Sequence, residues 1–81
     1  MRPTTNLPLT LSEHRELGRE VRATRARLRQ LCGLVRSVYG PANTAAFAFQ
    51  RAADAMDRLC GDLQAQAAAD HPGHPVDGFY E

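Results

Sequence analysis

Two apolar stripes flank the tripeptide Tyr39-Gly40-Pro41, and each repeats in steps of four and three. The first runs Leu17, Val21, Thr24, Leu28, Leu31, Val35, Val38, and the second Ala42, Ala46, Phe49, Ala53, Met56, Cys60, Leu63, Ala67. This alternation sets every member of a stripe on one side of an α-helix. Two such helices joined by a Gly-Pro turn predict an all-α, antiparallel two-helix hairpin with heptad, coiled-coil-like packing. A hairpin encloses a seam and no interior, and 81 residues lie near the lower edge of what one core can hold together. Dimerisation into a four-helix bundle is the expected remedy.

Local signals set the boundaries. Residues 1–9 contain Pro3 and Pro8 and read as a flexible, extended arm. Thr10-Leu11-Ser12-Glu13 has the spacing of a capping box, so helix 1 is expected over 10–38. Gly40 suits a helix C-terminus, and 39–41 form the turn. Pro41 fits the first turn of a helix over 42–69, with a later start capped by Asn43 or Thr44 as the alternative. Pro72 stops that helix, leaving 71–81 as an irregular tail whose Phe79-Tyr80 pair is expected to fold back on the bundle.

With the stripes at heptad positions a and d, Arg25 at e faces Asp57 at e of the other helix. Position g holds Leu34, Ala45, Ala52 and Leu59, and the neighbouring c column adds Ala48 and Ala55. An isolated hairpin leaves this second apolar surface wet, which marks it as the dimer or partner interface. On the opposite flank Arg15, Arg22, Arg29 and Arg36 recur every seven residues, with Arg19 and Arg25 beside them. Such a stripe suits phosphates, and nucleic-acid association is the alternative function it raises. Glu13, Glu16 and Glu20 offset its first half, and no aromatic lies among the arginines to stack on bases, so a solvated charged face is the simpler reading.

His14, His71 and His74 fall at one end of the hairpin and are weak metal-site candidates, with only the adjacent Asp70 as a further ligand and no metal-binding spacing. Cys60 at a reads as a small core residue. Cys32 at e lies among arginines, yet no general base accompanies it to make a nucleophile. The two sulfurs are expected about 15 Å apart along the axis, beyond disulfide reach. No catalytic constellation or cofactor motif appears, and neither a secretory signal nor a membrane span is predicted. A cytoplasmic protein with reduced thiols is expected, and the bias to Arg and Ala fits a GC-rich bacterial genome.

In outline the hairpin is similar to the small substrates of type VII secretion. Their Trp-x-Gly turn and Tyr-x-x-x-Asp/Glu tail are absent here, since the turn is Tyr39-Gly40 and Tyr80 precedes only Glu81. The likeness is one of shape and implies no function. The expected role is therefore a small non-enzymatic interaction or structural module, needing no cofactor and no membrane, that self-associates and binds a protein partner.

Overall fold

The computed structural model describes residues 7–81. It contains helix α1 (Leu11–Tyr39) and helix α2 (Thr44–Asp70), packed antiparallel, and no strand among the described residues. Residues 1–6 of the expected arm lie outside the described residues.

Each helix end has a visible cause. The Thr10 hydroxyl accepts the Glu13 N–H at 3.1 Å while the Thr10 N–H donates to Glu13 Oε1 at 2.9 Å, which satisfies two otherwise orphaned donors. Gly40, at φ 88°, takes the left-handed conformation that a side chain would resist and donates its N–H to the Arg36 carbonyl at 2.9 Å. Helix α2 does not begin at 42, and Pro41 stays in the turn. Asn43 Oδ1 accepts from both the Ala45 and Ala46 N–H groups, at 2.9 and 3.2 Å, and this double cap fixes the start at Thr44. At the far end the His71 N–H still reaches the Ala67 carbonyl, and Pro72 prevents a further turn.

The seam departs from the a/d pairing. On α1 the buried residues are His14 at a and Gly18 and Cys32 at e, whereas Thr24 and Val38 at d are exposed and Leu17 and Leu31 at d are half-buried. Helix α1 is therefore turned by about 50° from the a/d midline toward a/e, at 100° per residue. On α2 burial follows one column, Ala46, Ala53, Cys60 and Ala67, all at a. These small side chains occupy the line between the helices. The bulky members of the stripes (Leu17, Val21, Leu28, Leu31, Val35, Phe49, Met56 and Leu63) are all only half-buried.

The result is a two-helix layer 46 Å long with unlike sides. The e side carries ion pairs and, near the chain ends, the folded-back tail. The d/g side is apolar and open. No helix among the described residues is long and apolar enough to cross a membrane.

Candidate functional site

The end of the hairpin distant from the turn is closed by the tail. Val76 and Tyr80 are buried against Cys60 and Ala67, with Leu11, Leu17, Val21, Leu63 and Phe79 around them. Gln64 at e clamps the tail backbone twice: its amide donates to the Val76 carbonyl at 2.7 Å and its oxygen accepts the Tyr80 N–H at 3.2 Å. Gly18 gives the tail room. A Cβ there would overlap the Phe79 carbonyl oxygen, so the close approach this glycine permits is to the tail and not to α2.

His14 is 1 % exposed and lies between Tyr80 and Asp70. Its Nδ1 is 2.7 Å from the Tyr80 hydroxyl and its Nε2 is 2.9 Å from Asp70 Oδ2. An ionised carboxylate only accepts, so Nε2–H donates to Asp70. The His14 hydrogen bond, with a second from Gln66, holds the Asp70 carboxyl below its ordinary range. Burial, and secondarily the Asp70 charge, pushes the Tyr80 phenol above its ordinary value.

This Asp–His–Tyr chain is in the order of a proton relay, yet the Tyr80 side chain is 0 % exposed and presents no atom to a substrate. It acts as a latch. The expected histidine grouping is brought together, but as an edge-on stack and not as a ligand set. The His14–His71 ring centroids are 5.8 Å apart and the His71–His74 centroids 6.1 Å apart, both near perpendicular. His71 Nε2 is 2.6 Å from the Leu9 carbonyl, which ties the chain before α1 to the end of α2. Among the described residues no group of three or more His, Cys, Asp or Glu is arranged to hold a metal ion, so His14, His71 and His74 do not converge as ligands. Cys32 and Cys60 are both buried and unpaired, and Cys32 Sγ is 4.0 Å from Gln50 Oε1.

The arginine stripe lies on the e side, and most of it is engaged within the molecule. Arg25 Nε and Arg29 Nη2 both donate to Asp57 Oδ1, at 2.8 and 2.7 Å. Arg22 Nε donates to the Gly18 carbonyl at 3.3 Å, and Arg15 lies over the Phe79 ring at 5.4 Å. Arg19 pairs with Glu16 at 3.7 Å, while Arg36 near the turn is exposed. The Arg25–Asp57 pair follows directly from heptad position. The contact of Arg15 with Phe79 of the tail has no counterpart in the linear pattern.

The third surface is the open d/g side. Leu34, Ala45, Ala48, Ala52, Ala55 and Leu59 are all exposed there, Leu34 at 58 % and Leu59 at 41 %. Leu28 and Phe49 join Ala45, Ala48 and Ala52 in a shallow apolar groove that crosses from one helix to the other. This face is smooth on α2, where alanines dominate, and knobbed on α1 by Leu31, Leu34 and Val38. It offers contiguous apolar area. No protein-family model, no curated protein and no solved structure matches this chain.

Proposed function

We propose that this chain is a small non-enzymatic interaction module, half of a four-helix bundle that a second copy completes through the open d/g face. The observation that carries this reading is the one-sidedness of the layer. The e side and one end are covered by the chain's own tail and ion pairs, while Leu34, Ala45, Ala48, Ala52, Ala55 and Leu59 lie exposed together. The half-burial of Leu28, Phe49 and Met56 supports it, because each loses further water contact when a second layer covers the face. A cytoplasmic setting fits the two unpaired thiols, Cys32 and Cys60. An additional protein partner would then use the e side or the turn end.

Light scattering on the purified protein tests the reading. A dimer mass is expected, and Leu59→Arg should reduce it to the monomer with helicity retained. Ala53, 6 % exposed in the seam, is the control: Ala53→Arg should unfold the hairpin itself. A parent protein that stays monomeric at high concentration would sink the reading. The alternative, nucleic-acid association through the arginine stripe, draws support from Arg36 and from the absence of any acid between Glu20 and Asp54. The internal partners of Arg15, Arg22, Arg25 and Arg29 favour the first reading. Salt-sensitive binding to DNA or RNA, lost in Arg29→Ala with Arg36→Ala, would establish the second.

A further inference from the structure

We infer that the second copy packs antiparallel to the first, α1 on α1 and α2 on α2, so that the turn end of each hairpin lies on the closed end of the other. This rests on the self-association proposed above and adds its orientation. The first ground is charge. The turn half, residues 26–56, holds Arg27, Arg29, Arg36 and Arg51 against the single acid Asp54. The closed half, residues 7–25 and 57–81, holds five arginines against eight acids. The halves carry net charges of +3 and −3, so each hairpin is an electrostatic dipole along its 46 Å length. Turn ends stacked together would juxtapose like charges, and reversing one copy pairs opposite ones.

Register is the second ground. Residues 25 and 57 are the midpoints of α1 and α2, and the Arg25–Asp57 ion pair joins them. A two-fold axis at that level lays residue i of α1 over residue 50 − i of the second copy, and residue j of α2 over 114 − j. On α2 this sets Leu59 over Ala55, a knob on a small residue made twice by symmetry. On α1 it brings Leu34 near Leu17, covering an exposed side chain with a half-buried apolar one. At the edge of the same face Arg27, whose present contact is Gln30 on its own helix, approaches Glu20 of the second copy. The alternative same-end packing lays α1 over α2 and brings Glu20 to the level of Asp62.

A spin label on a cysteine introduced at exposed Ser37, with the native thiols buried and left unmodified, reads the orientation in the full chain. Antiparallel copies should give a label-to-label separation above about 35 Å, from twelve residues of helix on either side of the axis. A dimer with labels within about 20 Å overturns the orientation and leaves self-association standing. A monomeric mass overturns both. Charge exchange supplies an independent measurement: Arg27→Glu should raise the dimer dissociation constant about three- to tenfold, and adding Glu20→Arg should restore it. Failure of that restoration in a protein that still dimerises also counts against the antiparallel arrangement.

Discussion

At the residue scale, glycines that look alike in sequence have opposite meanings. Gly18, Gly33 and Gly61 all interrupt helices, but only Gly18 faces another segment, and nothing lies within 4 Å of a Cβ at the other two. Gly33→Ala and Gly61→Ala should each stabilise the protein by about 1 kcal/mol, the ordinary helix-propensity difference. Gly18→Ala should instead expel the tail, seen as rapid proteolysis after residue 71 and a lower melting temperature. Tyr80→Phe leaves buried His14 Nδ1 without its hydrogen-bond partner and should cost about 1–2 kcal/mol in thermal or urea unfolding.

The same latch gives a pH dependence with two limbs. Asp70 has a folded pKa below its ordinary 3.8, so its contribution is present above that value and is lost as pH falls through the lowered one. Tyr80 has a folded pKa above its ordinary 10.0, so its contribution is complete below that value and is lost as pH climbs through the raised one. Tail protection from protease should therefore fall at both extremes. Asp70→Asn should remove the acid limb attributable to this carboxylate and shrink the alkaline limb without abolishing it, because burial still raises the Tyr80 phenol.

At the element scale, the hairpin is governed by its caps and by the small-residue column of α2. The start of α2 rests on one side chain that accepts two backbone N–H groups, so Asn43→Ala should cost about 1 kcal/mol by thermal unfolding. Position 42 was an equally good start by periodicity, since Ala42 continues the d column. Periodicity reads faces and carries no information on where the first satisfied amide lies. The turn of α1 toward a/e has a similar origin. The e columns meet in the Arg25 contact to Asp57 and in the Gly18 and Gln64 contacts to the tail, and these polar and steric fits pull the e side inward. The d side, with bulky Leu17 and Leu31, swings out.

At the scale of the whole molecule, a layer this thin leaves its larger apolar side chains in partial contact with water. Covering the d/g face is the principal stabilisation still open to it, so the melting temperature should rise with protein concentration if the proposed dimer forms. Leu59→Arg should abolish that concentration dependence while changing the low-concentration melting temperature little.

The sequence alone determined the two helices, the antiparallel turn, the capping box at Thr10 and Glu13, the Arg25–Asp57 register and the columns of the apolar faces. Each of these is set by residues within a few turns of one another or by the fixed helical period. The tertiary structure alone decided that His14 is joined to Asp70 and Tyr80, that Gly18 receives the tail, that most of the arginine stripe is engaged within the molecule, and which column of α1 turns inward. Those outcomes depend on contacts between residues as many as 66 positions apart, as for His14 and Tyr80. No local pattern encodes them, because the tail and the helix meet only after the hairpin has closed.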